Sequence, residues 1–235
     1  MRLIFVRHGE PDYKNDCLTE NGLLQAKCTA ERLKQEKISA IYSSPMGRAM
    51  QTASFTAKQQ GLSVTELPFM HEIDWGTTPG AAEAGREVPY EGHPWTLACR
   101  LLTEQPEYSG SYAWAEHPYF RDNRLLAEYR KVSEGVDAFL EGYGLERTGA
   151  LYRCRKECDE TIALFAHGGS GAVLFAHLLN LPLPFVLTAL PYGVCSVSVF
   201  ALWPEQSEIV LPRLEIFNDM GHLDNVRKEK LHFDK

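Results

Sequence analysis

The sequence predicts an α/β fold: a three-layer sandwich whose mostly parallel central sheet carries helices on both faces. Three observations point there. Apolar runs of strand length alternate with longer stretches of helical periodicity, most clearly in the first sixty residues and again over 160–180, as in parallel sheets with crossover helices. Two of the runs, Leu3–Val6 and Ala163–Ala166, lead directly into a turn carrying a His-Gly pair, so one strand-to-turn design occurs twice. A chain of 235 residues with 44% hydrophobic and 23% charged composition buries a substantial core and is neither disordered nor coiled coil. One domain over 1–235 is expected, with a lid-like insertion at about 75–120.

Leu3-Ile4-Phe5-Val6 reads as a buried strand, since a continuous apolar run suits a sheet covered on both faces. Residues 20–36 read as a helix with Leu23, Leu24 and Ala30 on one face, and Ile38–Tyr42 as the next strand. Ser44 is the expected N-cap and Pro45 the first residue of a helix running to about Gln60. The serine oxygen takes a first-turn N–H, and proline has none to lose there. Val64–Leu67 is a short strand, and Thr161–Ala166 is an apolar one leading into a helix over roughly 171–180. Residues 194–202 and 208–217 alternate in polarity and predict an antiparallel pair at one edge. Between about 75 and 120, prolines at 79, 89, 94, 106 and 118 interrupt a segment dense in aromatics, among them Trp75, Trp95, Tyr112 and Trp114. This is the expected insertion, helical or irregular and near the active site. Such segments commonly serve as lids, and aromatics also simply pack an insertion together.

Charge narrows the partners. The 24 Lys and Arg against 31 Asp and Glu leave a net charge of −7, so no global positive field holds a polyanion and nucleic acid is not expected. The apolar run Leu3–Val6 is too short for a signal-peptide core, and no later stretch has the apolar length of a membrane span. The expectation is a cytoplasmic protein with no membrane partner. Six scattered cysteines suggest neither a disulfide framework nor a thiolate zinc site.

Chemistry gathers at the strand ends. Arg7-His8-Gly9 and His167-Gly168 each lie where an apolar strand turns toward a helix. In open α/β sheets the carboxyl ends of parallel strands line the ligand crevice, so these turns converge despite their separation in sequence. Glycine there lets a ligand approach the backbone and its N–H groups. A third strand end supplies Arg48 in the first turn of a helix, whose N-terminus already favours an anion. A fourth leads into His71-Glu72-Ile73-Asp74 and delivers a carboxylate, Glu72 with Asp74 as the alternative. Singly, each residue has a plainer reading as a half-buried structural histidine or a solvated charge. Together, two arginines, two histidines and a carboxylate suit phosphoryl transfer through a phosphohistidine. Neutral imidazole is a competent nucleophile, guanidinium forks match phosphate oxygens, and the carboxylic acid protonates the departing alkoxide before activating water. That chemistry calls for no metal and no cofactor.

In this order, Arg7-His8-Gly9-Glu10, Ser44-Pro45 with Arg48, Glu72 followed by Trp75-Gly76, and His167-Gly168 resemble the histidine phosphatase superfamily, also called phosphoglycerate mutase-like. Leu18–Ala26 resembles the family's entry into its first helix, and Asn218–Leu223 the tail of its bacterial small-molecule phosphatase branch. The resemblance implies a metal-independent phosphatase acting on a small-molecule phosphate ester. It makes His8 the phosphorylated nucleophile, Arg7, Arg48 and His167 the phosphate pocket, and Glu72 the proton donor. It also implies phosphate contacts from Asn15 and the Gly168 N–H, and leaves Glu10 outside the reacting set. Pro11 stands where many relatives have a hydroxyl residue, which removes one contact. A mutase of the phosphoglycerate type is the alternative. Mutases of this family carry paired arginines after the acid, whereas here Arg86, Arg100, Arg121 and Arg124 are dispersed and no two arginines are adjacent. A third reading, a non-catalytic adaptor for phosphorylated ligands, would be expected to lack a central residue, and none is missing.

Overall fold

The computed structural model describes residues 1–81, 88–204 and 208–226, so Arg86 and part of the aromatic segment lie outside the described residues. The chain forms two compact units: Met1–Glu72 with Asp137–Gly171 and Tyr192–Lys235, and Ile73–Val136 with Ala172–Pro191. In chain order the elements are β1 (Arg2–Arg7), β2 (Pro11–Asp12), β3 (Cys17–Leu18), α1 (Glu20–Leu33), β4 (Ile38–Ser43), α2 (Gly47–Gln60) and β5 (Val64–Glu66). They continue with α3 (Pro94–Glu104), α4 (Leu125–Glu141), β6 (Leu145–Thr148), β7 (Leu151–Cys154), β8 (Thr161–Ala166), α5 (Gly168–Leu179), α6 (Leu183–Ala189), β9 (Val197–Ala201), β10 (Ile209–Val210) and β11 (Arg213–Asp219).

The first unit holds the main sheet, in the order β11-β9-β1-β8-β4-β5. Strands β1, β8, β4 and β5 run parallel, and β9 opposes both of its neighbours. Alternate side chains explain the layers. On one face Ile4, Val6, Ile41, Ala163 and Phe165 pack under Leu33 of α1 and Ala53 and Ala57 of α2. The two alanines, one turn apart, let that helix lie close to the strands. On the opposite face Tyr42 meets Phe139 of α4 edge-on at 4.8 Å. Helices thus cover both faces of a mostly parallel sheet, as the apolar strands require.

Helix α1 ends at Leu33 instead of 36 and β9 begins at Val197 instead of 194, and three further differences have identifiable causes. Helix α2 begins at Gly47 with Met46 at the N-cap position, two residues later than the Ser44-Pro45 signal places it. The Ser44 hydroxyl pairs with His167 at 2.7 Å and takes only the Met46 N–H, at 3.3 Å, while the carboxylate of Asp16 takes the Gly47 N–H at 2.7 Å. A cap from another loop therefore replaces the local one. Helix α5 starts at Gly168 instead of 171, because its first glycines form a helical turn whose N–H groups a carboxylate satisfies. The segment 208–217 is divided between two sheets: Ile209–Val210 pairs with β7, and only Arg213–Asp219 pairs with β9. Pro212, which has no N–H for a ladder, separates the pieces.

In the second unit the prolines that interrupt the sequence pattern open helical turns: Pro89, Pro94 and Pro106 each stand in the first turn. α3 packs against α6. Trp114 is buried with its ring edge-on to Phe120 and Tyr129, both at 5.4 Å. Tyr112, 64% exposed, and Trp75, 38% exposed, stay at the surface. The aromatics are therefore of two kinds, and only some build this unit's core.

Candidate active site

Strand register in the first unit brings the predicted residues together. β1 and β8 pair without a shift up to Arg7↔Ala166, and the His8 N–H continues the ladder to the Ala166 carbonyl at 2.9 Å. On the other side of β8, Ser43 pairs with Phe165 and the Ser44 N–H reaches the Phe165 carbonyl at 2.8 Å. His8, His167 and Ser44 therefore leave three adjacent strands at one level. The two imidazole centroids lie 5.1 Å apart.

His8 is 1% exposed. Its Nδ1 lies 2.7 Å from the Gly9 carbonyl, an acceptor only, so Nδ1 carries the proton and Nε2 the lone pair. Burial, and after it the Arg7 cation, push the His8 pKa down to about 3, which keeps the ring neutral and nucleophilic at physiological pH. Arg48 Nε donates to that Nε2 at 3.4 Å. The buried Arg48 is held in turn by Asp16, whose Oδ1 accepts from Nη1 at 2.6 Å while Oδ2 caps Gly47. Burial alone would raise the Asp16 pKa, yet the Gly47 N–H and the Arg48 guanidinium outweigh it and hold the carboxylate below its ordinary range. The Tyr13 ring lies 5.4 Å from the Arg48 guanidinium carbon.

His167 is fully buried, and its Nε2 pairs with the Ser44 hydroxyl at 2.7 Å. Burial, then the neighbouring His8 and Arg48, lower its pKa strongly. Arg7 Nη1 donates to the Tyr192 carbonyl at 2.8 Å. Two buried nitrogens, Arg7 Nε and His167 Nδ1, have no hydrogen-bond partner among the described residues. Buried polar atoms of this kind call for an explanation, and a bound oxyanion supplies one. At Gly168 an added Cβ would stand 3.5 Å from the Arg7 guanidinium, so a side chain there would line the same space.

Glu72 reaches the first turn of α5, where its Oε1 accepts from the N–H groups of Gly169 at 3.0 Å and Ser170 at 3.1 Å. The carboxyl group is thereby fixed at a helix N-terminus. Asp74 belongs to the second unit and pairs with Arg124 at 2.9 Å. Asn15 lies on an exposed turn, where its amide donates to Asp12 at 2.7 Å; no hydrogen bond joins it to His8, Arg7, Arg48 or His167. Glu10 accepts from the Thr19 hydroxyl at 2.8 Å and the Asn21 amide at 2.7 Å, which ties the loop after His8 to the start of α1. Sequence reasoning does not foresee Asp16 or the Ser44–His167 contact. Asp16 is one acidic residue among several in its loop, and its partner stands 32 positions later.

Among the described residues no group of three or more His, Cys, Asp or Glu side chains is arranged to hold a metal ion, and no helix is long and apolar enough to cross a membrane. The arrangement is a neutral imidazole ringed by cationic and neutral N–H donors, suited to a tetrahedral oxyanion.

Comparison with known proteins gives concordant results. The sequence profile of the histidine phosphatase superfamily (branch 1) matches residues 3–107. Phosphoserine phosphatase 1 of Hydrogenobacter thermophilus is 31% identical over 233 residues, covering 94% of this chain and 95% of that one. A probable phosphoglycerate mutase of Photorhabdus laumondii is 33% identical over 85 residues, which is 32% of this chain and 40% of that one. A crystal structure of a phosphoserine phosphatase from Entamoeba histolytica, in complex with 3-phosphoglyceric acid, superposes with a TM-score of 0.61 at 21% identity. It covers 94% of this chain and 98% of that one, and at that identity it shows a shared fold.

Proposed function

The chain belongs to the histidine phosphatase superfamily, and from that membership we propose that it hydrolyses a small-molecule phosphomonoester through a phosphohistidine on His8. One observation carries the reading: the His8 tautomer presents the Nε2 lone pair beside Arg48, in a site where Arg7 Nε and His167 Nδ1 await a partner. His8 Nε2 attacks phosphorus as the ester oxygen departs on the opposite side, and the two guanidinium groups neutralise charge on the equatorial oxygens. Burial first and the nearby cations after it keep His167 neutral, and arrival of the phosphate dianion offsets the cations and strengthens its donation. Glu72, anchored at the start of α5, gives a proton to the leaving alkoxide. It then takes one from the water that attacks the phosphohistidine, restoring His8 and releasing inorganic phosphate.

Hydrolysis is favoured over mutase transfer because the full-length relative is a phosphatase, the mutase likeness spans a third of the chain, and no arginine pair follows the acid. Phosphoserine is the first substrate to try, since the relative is named for it. The test is direct. Incubation with a generic aryl phosphate should leave acid-labile, base-stable phosphate on the wild type and none on His8→Ala, whose turnover should be abolished. Wild-type turnover by a folded His8→Ala protein would sink the mechanism, and an adaptor would show no turnover at all.

A further inference from the structure

The tail motif Asn218–His222 is absorbed by neither the phosphate pocket nor the acid, yet it is tied to the nucleophile at one remove. Residues 192–195 lie between them. On the active-site side, the Tyr192 carbonyl accepts from Arg7 Nη1 at 2.8 Å, and the Cys195 N–H donates to both the Arg7 and His8 carbonyls, at 2.9 and 3.2 Å. On the other side the tail grips two of these four residues, Gly193 and Cys195. Asn218 Oδ1 accepts the Gly193 N–H at 2.9 Å, and His222 Nε2 lies 3.1 Å from the Cys195 carbonyl. Met220 fills the space beside Gly193, where an added Cβ would come within 2.5 Å of its sulfur.

Hydrogen-bond accounting fixes the direction. A carbonyl only accepts, so His222 Nε2 carries the proton and donates to Cys195. The Thr29 hydroxyl, also 3.1 Å from Nε2, sends its own proton to the Gln25 carbonyl at 2.9 Å and offers its oxygen to the imidazole. Cys195 needs such support. It is fully buried with φ at +53°, a left-handed conformation that a non-glycine residue keeps only when its surroundings hold it. Arg32 pairs with Asp219 at 3.0 Å and pins the tail to α1.

We propose that His222 and Asn218 are positioning residues for the nucleophile: they lock residues 192–195, which in turn hold the main chain of Arg7 and His8 and the Arg7 guanidinium. The inference rests on His8 being the nucleophile. It predicts a loss in the chemical step, because a small displacement of a reacting group costs rate more than affinity.

The experiment compares wild type, His222→Leu, His222→Gln, Asn218→Gly and His8→Ala with p-nitrophenyl phosphate. It measures kcat, KM and the pre-steady-state burst, each scaled to the folded fraction from circular dichroism. His222→Leu should lower kcat and the burst rate on the order of 10- to 100-fold, with KM moving by less than about threefold. His222→Gln should recover most of the loss, since its carboxamide N–H can reach the Cys195 carbonyl. Asn218→Gly keeps the left-handed backbone, at φ +54°, and should lower kcat in the same sense, so it serves as the test if His222→Leu does not fold. Wild-type kcat in folded Asn218→Gly or His222→Leu, or a loss confined to KM, would overturn the proposal. Wild-type turnover in His8→Ala would instead refute the nucleophile assignment, so the two failures are distinct.

Discussion

Asp16 offers the sharpest test of how the site is held together. Its carboxylate does two things at once, capping the first N–H of α2 and accepting from Arg48. Asp16→Ala removes both. A helix cap contributes about 1 kcal/mol, and a hydrogen bond to a charged group about 1.5–3 kcal/mol. The Asp16 side chain is 41% exposed against 5% for Arg48, which puts the second contribution at the low end of its range. The sum is about 2.5 kcal/mol, or roughly 5–10 °C in the unfolding midpoint of a chain this size. Arg48 then loses the partner that aims its Nε at His8, and kcat/KM should fall on the order of 10- to 100-fold. Asp16→Asn separates the roles: with its amide oxygen kept on Gly47 it should retain about 1 kcal/mol of that sum, while Arg48 loses its carboxylate partner and activity still falls. Thermal unfolding followed by circular dichroism, with kinetics on phosphoserine and p-nitrophenyl phosphate, measures both effects. An Asp16→Ala protein with an unchanged midpoint and unchanged kcat/KM would refute the reasoning.

Glu72→Gln should lower kcat on the order of 10²- to 10⁴-fold for alkyl phosphates and less for an activated aryl ester; equal losses on both would remove Glu72 as the acid. The same comparison on Asp74→Asn, if it gave the larger leaving-group dependence, would move the assignment there. His8 titrates at about 3 in the fold against about 6.5 in an unfolded chain. The unfolded state therefore binds the proton first, and stability that is complete above the unfolded value falls as pH drops from about 6.5 toward 3, by up to about 1.4 kcal/mol per pH unit for this group. His8→Asn should flatten that part of the calorimetric stability profile, and an unaltered slope would show that His8 is not held neutral by the fold. We further propose that aromatic residues of the expected insertion set selectivity for the non-phosphate part of the substrate. Trp95→Ala and Tyr112→Ala should each cost more kcat/KM on a ring-bearing phosphate than on a small aliphatic one, and unchanged selectivity in both folded variants would remove their role.

What was readable in the sequence follows from the range of the interactions. The strands before His8 and His167 are continuous apolar runs because both faces of the sheet are covered, so their type and the glycine turns after them are local information. Helix α4 also carries a readable signal, with Leu125, Val132, Val136 and Leu140 buried at helical spacing, but it follows directly on the irregular aromatic stretch that obscures its start. The hairpin of β6 and β7 is short and strongly polar, and alternation over four residues hardly stands out. Ser44 shows the limit most clearly. Its place before Pro45 matches a cap signal, and its oxygen does take the Met46 N–H, yet its shorter bond is to His167, 123 positions away. Asp16 and Cys195 likewise act through partners far along the chain, which propensity and spacing do not encode.

The unshifted ladder from Arg2↔Thr161 to Arg7↔Ala166 makes the two strands a matched pair of rulers. Each spends the same number of residues between its first paired position and its histidine, so neither length can change alone. Inserting one residue into β1 or β8 would turn an imidazole to the opposite face of the sheet, and no repacking of the neighbours would return it. Irregularity falls elsewhere, where β4 slips against β8 between Ile38 and Ala40 and where β11 slips against β9 between Leu214 and Asp219. A change of length in either ruler is therefore felt at its histidine, and the spacing of the two imidazoles is set by the strands themselves.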